Sequence, residues 1–242
     1  MRILVIADIH ANLHALNSVL MDAKDNYDVA WCLGDIVGYG PDPNECIQAI
    51  KELPGFICLA GNHDCATVGN MDLSTFNPIA YQALSWTQNT LTNESHNYLH
   101  KLNSSMYIKD VTLAHGSPNN PLWEYITDPD VANQNFVTIQ GNLCLVGHTH
   151  IPRIFSHDSI ECNEITVDTT RSFNLSKRQY ILNPGSVGQP RDQNPLAAYG
   201  ILDLAENSWQ QLRVAYDIRA TQDRMIIEQL PEELIMRLSF GI

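Results

Sequence analysis

The chain is predicted to be an α/β protein built from βαβ units, and three observations carry that expectation. Residues 3–7, 29–33 and 56–60 are continuous apolar runs, the mark of strands covered on both faces. The stretches between them place apolar residues at helical spacing. Beyond residue 154 the pattern turns to shorter alternating runs broken by turn residues, which predicts a second, more antiparallel sheet.

The elements follow in order. The first run ends in Asp8-Ile9-His10, and Asn12 opens a helix with Leu13, Leu16, Val19 and Leu20 on one face. The second run leads into Gly34-Asp35 and a loop rich in Gly and Pro. Asn44 is expected to cap a helix over residues 45–53 that stops at Pro54-Gly55. The third run leads into Gly61-Asn62-His63-Asp64. Residues 65–105 are polar, with helical spacing in Ile79, Ala83 and Trp86 and in Tyr98 and Leu102, and are expected to pack as helices walling a cleft. Residues 106–108 and 111–114 predict a pair of short strands around Lys109-Asp110, ending in His115-Gly116. After a Pro- and Asp-containing segment, the run 143–146 ends in Gly147-His148-Thr149-His150. Strands are expected over 160–167, 179–182, 198–204 and 209–216, and helices over 219–228 and 232–238. No linker, low-complexity tract or internal repeat interrupts the chain, so residues 1–242 are read as a single domain.

With 44% apolar and 17% charged residues, the composition is that of a globular protein with a full core. A formal charge of -13 works against nonspecific binding to nucleic acid or an anionic membrane, which require clustered Lys and Arg. The apolar run after Met1-Arg2 is too short for a signal peptide, and no run approaches the roughly 18 apolar residues of a membrane span. Six cysteines lie scattered without a CxxC pair, which points to reduced, mostly buried thiols in a cytoplasmic protein.

The candidate chemistry stands at strand ends. Asp8, His10, Asp35, Asn62, His63, His115, His148 and His150 follow five separate apolar runs, and in open α/β sheets ligands bind outside the carboxyl ends of the strands. Carboxylates, an amide and imidazoles are poor core material and good metal ligands. Asp8/His10 and His148/His150 are each two residues apart, a spacing that points both side chains the same way in an extended chain. Their number suits two ions, with Asp8, His10 and His150 around one, Asn62, His115 and His148 around the other, and Asp35 bridging. The charge of two such ions exceeds that of two carboxylates, which invites a phosphate. The pair, about 3.5–4 Å apart, would polarise the phosphoryl oxygens and lower a bridging water towards a pKa of about 7, for in-line attack by hydroxide. His63, left over from the ligand count, is the expected acid for the departing oxygen, with Asp64 orienting it. A donor set without thiolate suits Mn, Fe, Zn, Co or Ni.

The order Asp8-x-His10, Gly34-Asp35, Gly61-Asn62-His63-Asp64, His115-Gly116 and Gly147-His148-Thr149-His150 resembles the calcineurin-like metallophosphoesterase superfamily, over residues 1–153 with every metal-binding position filled. Asn183-Pro184-Gly185-Ser186 and Pro190-Arg191-Asp192 are similar to its bacterial and archaeal single-domain phosphodiesterases, although Asn183 and Ser186 also suit simple turns. The resemblance implies a sandwich of two mixed β-sheets flanked by helices, the ligand assignment above, and hydrolysis of a small-molecule phosphoester. In Ser/Thr protein phosphatases and symmetrical dinucleoside tetraphosphatases of this superfamily, an Arg a few residues after the bridging Asp grips the phosphate; here Tyr39 stands in its place. A monoester dianion gains most from that cation, so its loss favours phosphodiesters, unless Arg153 or Arg191 supplies the charge from another loop. Substrate contacts are expected from Asn62, Tyr39, Arg153 and Arg191. Tyr39 suits the pocket lining or a cover over the Gly-rich loop, and Arg153 suits a phosphate or a surface carboxylate. A phosphomonoesterase, protein phosphatase or dinucleoside polyphosphate hydrolase is the alternative. A noncatalytic scaffold would be expected to have lost ligands or His63, and none is missing.

Overall fold

Strand β1 (Arg2–Ile6) is the spine of the fold because both its faces are covered. Its alternation sends Ile3, Val5 and the following Ala7 into one core and Leu4 and Ile6 into another. In the computed structural model, which describes residues 1–158, 160–175 and 178–242, β1 is followed by α1 (Leu13–Asp22), β2 (Val29–Cys32), α2 (Pro43–Lys51), β3 (Ile57–Cys58) and α3 (Asn62–Thr67). The polar stretch continues with α4 (Pro78–Thr90) and α5 (Asn93–Leu99). Strands β4 (Ser105–Ile108) and β5 (Val111–Ala114) form a hairpin. Its turn residues Lys109 and Asp110 both have positive φ, 51° and 63°, which matches the twist of the paired strands. Then come α6 (Pro129–Phe136), β6 (Leu143–Leu145), β7 (Pro152–His157), β8 (Cys162–Ile165), β9 (Phe173–Asn174), β10 (Gln179–Pro184), β11 (Ala197–Asp203), β12 (Ser208–Val214), α7 (Ile218–Ile227) and α8 (Glu232–Arg237).

Among the described residues the strands form two six-stranded mixed sheets, in the orders β3-β2-β1-β11-β12-β9 and β4-β5-β6-β10-β7-β8. Both have a parallel part: β1, β2 and β3 in the first, β5, β6 and β10 in the second. The sheets pack face to face through Val5, Trp31, Leu113, Leu145 and Leu182. Helices α1 and α2 cover the outer face of the first sheet through Leu16, Val19, Ile47 and Ile50, and α6 covers that of the second through Ala132 and Phe136. This is the predicted sandwich of two mixed sheets flanked by helices.

Two local expectations are corrected. The strands after residue 154 do not form a sheet of their own: β9, β11 and β12 extend the first sheet, β11 antiparallel to β1, while β7, β8 and β10 complete the second. Alternation reports which residues face a core but not which neighbour a strand takes. Asn44 does not cap α2, because Pro43 already occupies the first turn with Asp42 ahead of it. Its amide instead bridges the Thr90 carbonyl and the Thr92 N–H, both at 3.0 Å, at the junction of α4 and α5. The segment after residue 118 contains a helix, α6, whose first N–H groups are accepted by the Asp128 carboxylate. All six cysteines are free, four of them buried. No helix among the described residues is long and apolar enough to cross a membrane.

Candidate metal centre

The carboxyl ends of β1, β2 and β3 in one sheet meet those of β5 and β6 in the other, and their following residues converge. Asp8, His10, Asp35, Asn62, His63, His115, His148 and His150 are all buried. Two groups emerge from the geometry: Asp8, His10, Asp35 and His150, and Asp35, His115 and His148, the potential ligand atoms of each lying within 4.8 Å of one another. Asp35 belongs to both. Its Oδ2 is 3.6 Å from His10 Nε2 and 3.4 Å from His115 Nε2. Asn62 Oδ1 faces His115 Nε2 at 3.2 Å, on the side of the second group.

The convergence is achieved differently from the pleat that the two-residue spacing suggests. Asp8, His10, Asp35, His148 and His150 have φ of 53°, 47°, 54°, 66° and 62°, so the chain coils through left-handed turns. Each such residue costs on the order of 1–2 kcal/mol. The loops are held by backbone bonds from Asp8 N to Gly34 O and His10 N to Asp35 O, both 3.0 Å, and by the His148 N–H, which donates to the Asp8 carboxylate. Strain concentrated where it aims side chains inward is the pattern of a functional site.

The donor set fits metal ions on three observations. The Nδ1–H groups of His10, His115 and His150 point at the carbonyls of Val37, Leu33 and Gln189, at 3.1, 2.9 and 2.6 Å. In the neutral rings, the form that binds metal, that assignment places a lone pair on each Nε2. His10 Nε2 then faces His150 Nε2 at 3.1 Å, and His115 Nε2 faces His148 Nδ1 at 3.1 Å, pairs that a shared cation would satisfy. Among the described residues, His148 Nε2 is enclosed without a partner.

The electrostatics are those of buried groups facing one another. Burial pushes Asp8 up to about 7, against the pull of His115 and with the help of Asp35. Burial also draws His10 and His150 well below the usual imidazole range, and His148 down to about 3. His115 is the exception: burial lowers it, but Asp35 beside it, with Asp8, holds it up at about 9. Asp35 resists its own burial because His115 and His63 keep it well below the usual carboxylate range.

The His63 and Asp64 side chains are adjacent in the chain but have different surroundings. The His63 ring turns Nδ1 towards Gly38, where it is enclosed without a partner among the described residues, leaving Nε2 as the nitrogen able to reach the cleft. The expectation that Asp64 orients His63 is corrected. Residues 62–67 form a helix, so neighbouring side chains diverge, and the Asp64 carboxylate folds back to accept Gly61 N at 2.9 Å and Val37 N at 3.1 Å. It ties the Asp35 loop to the start of α3.

The expected substrate residues part company. Tyr39 is buried, with its ring centroid 4.6 Å from that of His10 and 4.4 Å from that of His63. It also packs against Ala80, Ala83, Met225 and Leu234, so it both covers the loop and lines the site. Arg191 lies over the Tyr39 ring, 5.9 Å from its centroid, and its charge reaches Asp8, His10, His63, His148 and His150. Arg153 is not brought to the cluster. Its guanidinium pairs with Glu164 at 2.6 Å across β7 and β8.

The motif around Asn183 and Ser186 supports the site, and Gln189, Tyr125 and Phe76, which the sequence did not single out, join it. Asn183 and Ser186 do more than make a turn: Asn183 Nδ2 donates to Gly147 O at 2.7 Å and Thr149 Oγ1 at 3.0 Å, and Ser186 Oγ donates to Asp8 O at 2.7 Å. Gln189 presents its carbonyl to His150. Tyr125 stacks on His148 with centroids 4.0 Å apart, and Phe76 meets His63 edge-on at 5.2 Å. The aromatic residues in otherwise polar segments were the only signal for the last two.

Residues 1–207 match the calcineurin-like phosphoesterase superfamily domain. The chain is similar to the crystal structure of a metallophosphoesterase from Sphaerobacter thermophilus, at 42% identity and a TM-score of 0.90 over 100% of this chain and 99% of that one. It is 38% identical to an uncharacterised protein of Methanocaldococcus jannaschii over 99% of this chain and 98% of that protein. A hypothetical protein from Pyrococcus horikoshii shares the fold at 22% identity, with a TM-score of 0.83 over 100% of this chain and 98% of that one. With its two-sheet sandwich and buried His/Asp cluster, the chain belongs to the calcineurin-like phosphoesterase superfamily.

Proposed function

We propose that this protein is a dinuclear metal-dependent phosphoesterase with a preference for phosphodiesters. The observation that carries the reading is Asp35, one carboxylate whose Oδ2 faces both His10 at 3.6 Å and His115 at 3.4 Å and which belongs to both ligand groups. Asp8, His10 and His150 would hold one ion, and Asn62, His115 and His148 the other. Bound there, the ions would polarise a phosphoryl group and make water acidic enough to act near neutral pH.

The chain's own residues supply the rest. Arg191 places a cation over Tyr39, at the edge of the cluster, where it can attract and orient a phosphate. In the free site, burial draws His63 down to about 4, against Asp35 and helped by Arg191 and His115. A phosphate anion seated beside the ring favours the imidazolium, so Nε2 can hold the proton that the departing oxygen needs. The buried Tyr39 excludes water behind His10 and His63.

Tyr39 at the position of the missing Arg supports the diester preference. Arg191 supports a second reading, a phosphomonoesterase, because it restores a cation from another loop. Rates on bis(4-nitrophenyl) phosphate and 4-nitrophenyl phosphate, measured side by side with added metal, separate the two. Full activity in a metal-stripped sample, or in Asp35→Asn, would sink both.

A further inference from the structure

We infer that Phe76, Trp123 and Tyr125 form a stacking shelf, so that the phosphoesters this protein acts on carry a nucleobase or similar flat heteroaromatic ring; this rests on the phosphoesterase reading above. The shelf is built from two segments that meet over the metal cluster. Phe76, just ahead of α4, meets the His63 ring edge-on, with centroids 5.2 Å apart and planes at 75°. Trp123 leans on Phe76 at 5.2 Å. Tyr125 lies flat over His148 at 4.0 Å and 18°.

The loop carrying Trp123 and Tyr125 is fixed to the site. Gly116, next to His115, donates its N–H to the Pro121 carbonyl at 2.6 Å. Between the two aromatic residues, Glu124 turns inward, where its carboxylate accepts from Ser117 Oγ at 2.5 Å and Asn135 Nδ2 at 2.7 Å. Ile126 is buried in the α6 core. The alternation leaves Trp123 and Tyr125 outward, 36% and 44% exposed. Exposed aromatic rings clustered beside a polar centre mark a ligand surface more than a fold requirement. The rings are positioned before any ligand arrives, so stacking costs little ordering. The net charge of -13 opposes a long polyanionic strand, which favours a ligand the size of a mono- or dinucleotide.

The test uses the full-length, metal-loaded protein and calorimetric titration with adenosine 5′-monophosphate and with ribose 5-phosphate, which share the phosphate and sugar but not the ring. The expected result is binding of the nucleotide about 5- to 150-fold tighter, the range of one stacked base. The gap should shrink in Trp123→Ala and persist in Trp123→Phe, with ribose 5-phosphate affinity unchanged in both. Equal affinities in the wild type, no measurable nucleotide binding, or a gap that survives in a Phe76→Ala, Trp123→Ala double variant would overturn the inference. Turnover distinguishes it from the reading beneath it. A nucleotide preference in a protein that hydrolyses no phosphoester would leave the shelf standing and remove the activity. Equal kcat/KM on nucleoside and alkyl diesters would do the reverse. A preference shared equally by phenyl and nucleoside esters would mean that the shelf reads flatness alone, and would overturn the assignment of a nucleobase.

Discussion

Gly61 approaches Asp35 so closely that a Cβ at position 61 would lie 1.9 Å from Asp35 Oδ1 and 2.5 Å from its backbone nitrogen. The φ of Gly61 is -90°, a value any residue adopts, so space and not backbone freedom demands the glycine. The same Oδ1 accepts the His63 N–H at 2.9 Å, which fixes the carboxylate between the two donor groups. Gly61→Ala must therefore displace Asp35. Stability should fall by about 1–3 kcal/mol, as for other overpacked sites, and bound metal by more than half. Elemental analysis of the purified variant beside wild type checks this; an unchanged metal content would mean that Asp35 can move without cost to the site.

Metal uptake should release protons, and its affinity should rise with pH. In the free site His115 is held at about 9 and Asp8 at about 7, so at pH 7 His115 is mostly protonated and Asp8 about half so. Both must lose the proton to act as ligands. The sign is fixed: a metal competes with bound protons below those values and no longer does above them. Apparent affinity should increase between pH 6 and 9 by up to about tenfold per pH unit for each proton displaced, then level off. Titration calorimetry in two buffers of different ionisation enthalpy measures the protons released. A release of none at pH 7 would contradict the proposed ligand set.

His63 can be tested as a proton donor through the leaving group. Loss of a general acid typically costs about 10²–10⁴-fold, but only where the departing oxygen needs a proton. His63→Asn should therefore slow an alkyl or nucleoside diester by that amount and a nitrophenyl diester far less, because nitrophenolate leaves unaided. Gly38→Ala should act in the same direction: a Cβ at 38 would lie 2.5 Å from His63 Nδ1, at a φ of 87°. Equal losses on both substrates would assign His63 to binding instead.

How much of this is legible in the sequence depends on how local the cause is. Each donor ends an apolar run, and burial of parallel strands makes such runs continuous, so the positions of Asp8, Asp35, His115 and His148 can be read directly. The left-handed turns that aim Asp8, Asp35 and His148 cannot, because Asp and His carry no backbone signature as strong as that of glycine. Asp64 was misassigned because its neighbour His63 suggested a pair, whereas the helix starting at Asn62 turns the two apart. The bonds from Ser186 to Asp8 and from Asn183 to Gly147 join residues far apart in the chain. Nothing in the spacing of Asn183-Pro184-Gly185-Ser186 marks such partners.

Arg191 and Tyr39 decide how the site treats charge on its substrate. The guanidinium sits over the Tyr39 ring and donates from Nη2 to Gln189 Oε1 at 3.0 Å, while its Nε is enclosed without a partner among the described residues. Gln189 also holds His150 through its carbonyl, so the cation is tied to a ligand loop and not to a carboxylate that would neutralise it. Removing it should weaken any phosphate contact by roughly the value of a hydrogen bond to a charged group, about 1.5–3 kcal/mol, or about 10- to 150-fold in kcat/KM. A dianion loses more than a monoanion, so Arg191→Met should reduce monoester turnover further than diester turnover and widen the diester preference. Tyr39→Phe keeps the ring against His10 and His63 and should change both rates little. If Arg191→Met lowers the two rates equally, the residue orients the His150 loop rather than the phosphate. Unchanged metal content in the variant would then argue against even that role.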